Sequence, residues 1–323
     1  MLISIIIPVY QSKTNIEKSV RSVLDQTYSD LEIIIVDDCG QDGSIDIIKR
    51  VLNDYPSFVS RVRFIHHEHN RGCAAARRSG MQQANGDYIL HVDSDDYIAP
   101  TMVEKMVRKA QELDADMVVT NYYYWYSSGN VLVTVEHQRN NVDFAKKVLL
   151  GNIHAGVWNK LIRTSIIKDN EVYPVPGINM GDDLTILLKA LYYIGKIGYI
   201  DEPLYYYNRQ SNDCISRTNY PIEVDVKLIN YIAELVEKYN DEEIEAAFSL
   251  FKTGRFGRNL LYNNLNDVKR NQTVFGVSSW KQGFKHKRLP LHYKLVLAFY
   301  LNGFNIGVKM IRALAQKKKN QPG

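Results

Sequence analysis

Three aspartates stand within four residues in Val92-Asp93-Ser94-Asp95-Asp96. They follow Tyr88 to Val92, a short apolar run that reads as a buried strand. Carboxylates crowded at a strand end repel one another and resist burial, and a cation lowers that cost. Ligands that are all oxygen suit Mg²⁺ or Mn²⁺, ions that bridge a protein carboxylate to substrate phosphates. The competing reading is a solvated acidic turn ahead of the helix that Pro100 opens. Two more acidic pairs stand at comparable places. Asp37-Asp38 follows the apolar run Leu31 to Val36, where turn chemistry is the alternative use. Asp182-Asp183 precedes the apolar stretch Leu184 to Tyr193, where a helix macrodipole alone favours negative charge. Arg77 supplies a charged donor suited to phosphate or carbonyl oxygens.

The elements that must hold these residues follow from hydrophobic periodicity. Leu2 to Val9 is a nearly continuous β-branched run, as in a strand buried on both faces of a parallel sheet. Thr14 and Glu17 form a capping-box pattern, and Ile16, Val20, Val23 and Leu24 recur at helical spacing over about 15–26. Leu31 to Val36 reads as a second strand, Ser44 as the cap of a second helix, and Val62 to Ile65 as a third strand. Gly72 to Ala84 reads as a small-residue helix, Tyr88 to Val92 as the fourth strand, a helix follows Pro100, and Met117 to Thr120 is the fifth strand. Strand and helix alternate, which predicts a doubly wound, mostly parallel α/β sheet with helices on both faces. Ligands of such sheets sit outside the carboxyl ends of the strands. Pro8-Val9-Tyr10, Asp37-Asp38 and Asp93 to Asp96 all fall at those ends, so three unusual segments converge on one edge.

Composition narrows the class. The 323 residues are 45% hydrophobic and 24% charged with a net charge of +4, ordinary for a globular protein. Cys39, Cys73 and Cys214 are widely spaced and odd in number, against a disulfide framework or a zinc site. Leu2 to Val9 is too short for a signal-peptide core, and no apolar run reaches the roughly 18 residues of a spanning helix. A cytoplasmic location is therefore expected. The Gly-x-Gly-x-x-Gly of dinucleotide folds, a phosphate-gripping Lys-Ser/Thr loop and a nucleophilic Asp after the first strand are all missing. No aromatic-basic pattern points to nucleic acid.

The run Ile5-Ile6-Ile7-Pro8-Val9-Tyr10, then Val36-Asp37-Asp38, Gly43-Ser44, Asn70-Arg71-Gly72, Ala76-Arg77, Gly86-Asp87-Tyr88 and Asp93-Ser94-Asp95-Asp96, resembles glycosyltransferase family 2 in order and spacing over roughly residues 1–120. The resemblance implies a GT-A fold and an inverting transfer from a nucleotide-diphosphate sugar. It implies that Pro8, Val9 and Tyr10 line the nucleoside pocket and that Asp37 and Asp38 lie there, Asp38 facing the base, commonly uracil. Arg77 is placed near the base or phosphates. Asp93 and Ser94 fall in the donor site, and Asp93, Asp95 and Asp96 are the metal ligands. Asp182-Asp183 matches the family's acidic pair, whose second member is the general base. Trp158, in Trp158-Asn159-Lys160-Leu161, is the expected acceptor residue, a buried core tryptophan being the alternative. Arg209, in Tyr207-Asn208-Arg209, is expected to close over the diphosphate. Relatives often carry a His soon after this Arg, and Ser211 to Ile215 has none.

The aromatic block Tyr122 to Tyr126 reads as strand packing rather than a sugar platform. Val224 to Tyr239 and Glu242 to Leu261 read as helices. Toward the end, Leu295 to Leu301 is apolar, and Lys281, Lys285, Lys287, Arg288 and Lys317 to Lys319 flank it. That pattern suits a helix lying on a membrane surface that presents anionic lipid. The expected organisation is therefore a GT-A domain over 1–217, with donor binding in 1–120 and the acceptor side in 121–217, and a helical extension over 218–323 that can touch the cytoplasmic face of a membrane. The expected activity is transfer from a UDP-sugar, with Mn²⁺ or Mg²⁺, to a glycan or lipid-linked acceptor in cell-surface polysaccharide synthesis. An inactive sugar-nucleotide-binding subunit and a sugar-nucleotidyltransferase are the alternatives. The latter lacks its Gly-rich basic loop.

Overall fold

The computed structural model describes residues 1–210 and 220–319. Cys214, the stretch Ser211 to Ile215 and the boundary at Arg217 lie outside the described residues, as do the side chains of Lys317, Lys318 and Lys319. The described chain forms two compact units, one of residues 1–141 and 155–210, the other of residues 142–154 and 220–319.

The first unit is an α/β layer. Strand β1 (Ile3–Val9) pairs in parallel with β2 (Leu31–Asp37) and β4 (Tyr88–His91), and β2 pairs in parallel with β3 (Val62–His66). Ile3, Ile5, Ile6 and Ile7 are completely buried. That explains the unbroken apolar run: helices cover both faces of this part of the sheet. The register places Val9 beside Asp37 and Asp37 beside His66, so the carboxyl ends form one edge. The helices are α1 (Ile16–Leu24), α2 (Ser44–Leu52), α3 (Cys73–Gln83) and α4 (Met102–Leu113). Gly80 interrupts the α3 pattern because the helix lies hard against β1. A Cβ there would stand 2.5 Å from Ile6 Cγ2. Two cap expectations change. Asn15, not Thr14, is the α1 N-cap and makes no side-chain cap bond. Gly43, at φ 83°, caps α2, and Ser44 Oγ instead donates to Asp42 Oδ1 (2.6 Å).

Beyond β4 the sheet departs from simple alternation. The expected fifth strand is longer than its apolar core, β6 (Met117–Tyr126), after a two-residue strand β5 (Tyr97–Ile98). A hairpin joins β6 to β7 (Gly129–Val133). β4 and β6 are not neighbours. Strand β8 (Lys160–Arg163) lies between them, antiparallel to both. β6 then pairs in parallel with β9 (Ile197–Asn208), whose far side carries β5. The order is β3-β2-β1-β4-β8-β6-β9-β5, with β7 on β6. The aromatic block Tyr122 to Tyr126 is therefore strand, paired on both sides. Helices α6 (Thr164–Asp169) and α7 (Asp182–Tyr193) complete this unit.

The second unit is helical: α5 (Asn141–Leu149), α8 (Ile222–Tyr239), α9 (Glu242–Tyr262), α10 (Leu265–Arg270), α11 (Gln272–Phe275), α12 (Trp280–Lys285), α13 (Leu291–Leu301) and α14 (Asn305–Lys319). Phe256, Leu260, Phe275, Val296 and Leu297 form its core, with the Phe256 and Phe275 rings 5.1 Å apart. The apolar run 295–301 thus helps bury α9: a Cβ on Gly257 would meet Leu297 at 3.5 Å. Exposed apolar surface falls instead on α14, where Ile306, Met310 and Leu314 are each at least 60% exposed. No described helix is long and apolar enough to cross a membrane.

Candidate active site

The carboxyl edge of the sheet carries the site, and its loops are tightly built. Gln11, Cys39 and Gln41 adopt left-handed φ of 48°, 62° and 51°. Side chains with a Cβ resist this region at about 1 kcal/mol each, so the surroundings impose it. Pro8 and Val9 are buried in β1, whereas Tyr10 is 42% exposed at the strand end. Ser12, two residues on, joins this loop to the acidic one, its Oγ 2.5 Å from Ser94 Oγ.

The pair Asp37-Asp38 divides its work. Asp38 is buried, and its carboxylate accepts from the backbone N–H of Arg71 (2.8 Å) and Gly72 (2.7 Å) and from His67 Nδ1 (2.7 Å). It therefore fixes the Asn70-Arg71-Gly72 turn. Gly72 is required there: its φ is 85°, and a Cβ would stand 2.2 Å from Asn179 Nδ2. Asp37 is the more open of the two. It accepts from Cys39 N–H (3.1 Å) and pairs with His66 Nδ1 (3.1 Å).

The three carboxylates after β4 also separate. Asp93 Oδ1 accepts from Arg77 Nη2 at 2.7 Å. Asp96 is 1% exposed. Its Oδ2 accepts from Tyr205 Oη (2.6 Å) and its Oδ1 from Asn208 N–H (2.7 Å), so it ties the β4 end to β9. Burial and the neighbouring charges of Asp95 and Asp93 push its carboxyl well above the usual range. The Asp95 backbone carbonyl accepts from Asn208 Nδ2 (3.1 Å), and burial beside Asp93 raises its carboxyl to about 6. Among the described residues no three His, Cys, Asp or Glu side chains converge as a ligand set. The expected trio is thus not assembled. Asp96 is held internally, while the carboxylates of Asp93 and Asp95 are only partly buried.

Arg77 is the centre of the arrangement. Its side chain is 4% exposed, yet it reaches carboxylates from two distant segments. Nη2 holds Asp93, Nε donates to Asp182 Oδ2 at 3.0 Å, and Asp183 Oδ1 lies 3.5 Å from Nε. Nη1 is buried with no hydrogen-bond acceptor among the described residues. Gly181, at φ 107°, turns the chain so that Asp182 and Asp183 open α7. Asp182 is 7% exposed and takes the direct bond. Burial and its neighbour Asp183 lift its carboxyl well above the ordinary value, Arg77 opposing. Asp183 is more open, and its buried Oδ1 makes no hydrogen bond despite the nearby guanidinium. Asp182 thus takes the direct bond to the guanidinium, and Asp183 Oδ1 has no hydrogen bond among the described residues.

Two expected residues sit differently. Trp158 is 1% exposed, stacked on Tyr205 and Tyr207 (centroids 4.5 and 5.1 Å) and edge-on to Tyr122 (4.7 Å). It is a core residue, with its ring faces used, so the packing reading of Trp158 replaces the acceptor reading. Arg209 follows β9 with its guanidinium over the Tyr124 and Tyr207 rings at 5.4 and 5.7 Å. Three contributors were not picked out from sequence: Tyr205, which accepts from Asp93 N–H (3.1 Å) while donating to Asp96, and also His67 and Lys160. Lys160 is fully buried, donating to Gly156 O (2.6 Å) and Asn159 Oδ1 (2.7 Å). Burial brings its ammonium down to about 7, against the field of Asp183. A buried Lys inside an apolar strand was the available signal for the last of these.

The Glycosyl transferase family 2 profile matches residues 4–170. Glycosyltransferase GlyG of Streptococcus pneumoniae serotype 4 is 34% identical over 234 residues, covering 68% of this chain and 75% of GlyG. The putative glycosyltransferase EpsH of Bacillus subtilis is 27% identical, covering 78% of this chain and 67% of EpsH. Among solved structures, S. aureus TarS 1-349 in complex with UDP superposes with a TM-score of 0.72 at 18% identity, covering 98% of this chain and 92% of that one.

Proposed function

The chain belongs to glycosyl transferase family 2 and is a glycosyltransferase, and from that premise we propose that it moves a sugar from a UDP-sugar to a hydroxyl of a glycan or lipid-linked acceptor, inverting the anomeric centre. The observation that carries this reading is the reach of Arg77. One guanidinium ties the β4 carboxylate Asp93 to the α7 carboxylates Asp182 and Asp183. A donor-binding group and a candidate base therefore share one charged cluster. UDP is named because TarS, of the same fold, is known in complex with it. Cell-surface polysaccharide synthesis is the setting this reading fits.

In this reading Asp183 takes the proton of the acceptor hydroxyl as its oxygen attacks the anomeric carbon. The bond to the diphosphate breaks on the opposite face, its electron pair going to the phosphate oxygen. Arg77 Nη1, the arm without an acceptor among the described residues, is available to the donor, and Arg209 supplies a second cation just after β9. Tyr10 offers an exposed ring to the base, and Asp37 is the more accessible acceptor beside it. A divalent cation fits Asp93 and Asp95 and supplies charge neutralisation to the leaving diphosphate. Asp182 and Asp38 position, respectively, Arg77 and the 70–72 turn.

Calorimetric titration of UDP with Mn²⁺, and again with EDTA, tests the donor side. Binding that depends on the metal is expected. Binding indifferent to EDTA would remove the cation from Asp93 and Asp95, and no binding of UDP would overturn the choice of donor.

We also assign the membrane-facing role to α14 rather than to 295–301. Ile306, Met310 and Leu314 repeat every fourth residue on one exposed stripe of a helix rich in Lys and Arg. The chain is expected to float with vesicles containing phosphatidylglycerol and not with neutral ones. Aspartate at 306, 310 and 314 together is expected to abolish flotation, and unchanged flotation would refute the assignment.

A further inference from the structure

The helical unit holds a cleft of about 460 Å³ whose lining includes none of the donor or base residues assigned above. Arg255, Arg258 and Arg288 line it, together with Phe251, Leu289 and Tyr293. The cations are incompletely matched by the protein. Among the described residues Asp225, fully buried, is the one carboxylate paired with Arg255 and Arg258. Its Oδ1 accepts from Arg255 Nη1 at 3.0 Å and from Tyr220 Oη at 3.3 Å, and its Oδ2 accepts from Asn259 Nδ2 at 2.6 Å. Arg258 Nη1 is left 3.8 Å from Asp225 Oδ2, buried, and without a hydrogen bond among the described residues. Its guanidinium is held over the Tyr220 ring at 3.5 Å, which fixes its direction. Arg288, exposed at the rim, donates one bond to Gly151 O (2.8 Å), a neutral acceptor.

Guanidinium groups stay protonated, so among the described residues Arg255, Arg258 and Arg288 outnumber the one carboxylate paired with them, Asp225, which lies behind the lining. A buried cation with an unmet donor is costly, and an anion with several oxygens relieves both deficits. Phe251 and Leu289 offer apolar surface next to those donors, Leu289 being 6% exposed. A free phosphate uses only the charged half of such a cleft, whereas a phosphate on a hydrocarbon stem uses both.

We propose that this cleft binds the phosphate of an amphiphile, with Arg258 and Arg288 on the phosphate and Phe251 and Leu289 on the first carbons of the stem. The site is separate from the donor-binding carboxylates and does not depend on the choice of UDP.

Octyl phosphate, inorganic phosphate and octanol, each titrated calorimetrically into the full chain without nucleotide, test it. Octyl phosphate is expected to bind at least tenfold more tightly than either of the others. Arg288→Gln, at an exposed position where folding is not at risk, is expected to weaken octyl phosphate about tenfold, the loss typical of one charge-assisted bond. Arg258→Gln is expected to do the same, with circular dichroism and thermal unfolding as the check on its fold. Inorganic phosphate binding as tightly as octyl phosphate would reduce the cleft to a simple anion site and overturn the amphiphile. Absence of octyl phosphate binding, or equal binding by the Arg288 variant, would overturn the site itself.

Discussion

Asparagine in place of Asp183 is expected to lower turnover by about 10³-fold, within the range that a positioned general base contributes. UDP affinity is expected to stay within about twofold. The substitution keeps the size of the side chain and the start of α7, and removes only the capacity to take a proton. Asp183 is the member of the pair whose Oδ1 faces Arg77 at 3.5 Å without a hydrogen bond. Its neighbour Asp182 makes the shorter bond, at 3.0 Å. The two variants should therefore differ in kind. Asp182→Asn is expected to act mainly on stability and Asp183→Asn mainly on kcat. Steady-state kinetics with calorimetric UDP binding separates these effects. An Asp183→Asn enzyme keeping more than a tenth of wild-type turnover would remove the base assignment.

Methionine in place of Arg77 is expected to cost about 3–5 kcal/mol of stability, the loss seen when one partner of a buried charge cluster is removed. The side chain is 4% exposed, and the Asp182 it holds is 10% exposed, so solvent screens the pair little. The loss should depend on pH, and its sign follows from Asp182. That carboxyl titrates above its unfolded value because of burial and Asp183, with Arg77 holding it down. A raised group favours the folded state at low pH and gives that contribution up as pH rises through the folded value. Without Arg77 the value rises further. The gap between wild type and Arg77→Met is therefore expected to be largest near pH 8 and to shrink toward pH 5. Urea unfolding at both values checks this. A pH-independent gap, or one below about 1 kcal/mol, would show that Arg77 does not carry the cluster's charge.

Local pattern was enough to place the carboxyl edge. The unbroken Ile5-Ile6-Ile7 run and the acidic ends of β2 and β4 are short-range signals, and each stands where its period and composition predict. What periodicity does not contain is the partner. Asp38 and Asp96 look like ligands in one dimension. Their hydrogen bonds go to Arg71 and Gly72 in one case and to Tyr205 and Asn208 in the other, the last more than a hundred residues away. Trp158 could have been surface or core until the β9 tyrosines that cover it were placed. Hydropathy likewise located the apolar run 295–301 but not what lies on it. α9 covers that run, and the open stripe belongs to α14.

The insertion of β8 has a consequence for how the chain is made. While residues 1–150 emerge from a ribosome, β4 and β6 both lack the strand that will join them, and each presents an unpaired backbone ladder. The α7 carboxylates that face Arg77 arrive later still. The nucleotide half is thus not a module that ripens first and waits. It closes only when a segment some seventy residues downstream of β4 is threaded between strands already synthesised, the long-separation pairing that slows folding. It also resists cutting: a fragment ending before Lys160 keeps β1 to β7 but exposes edges on β4 and β6.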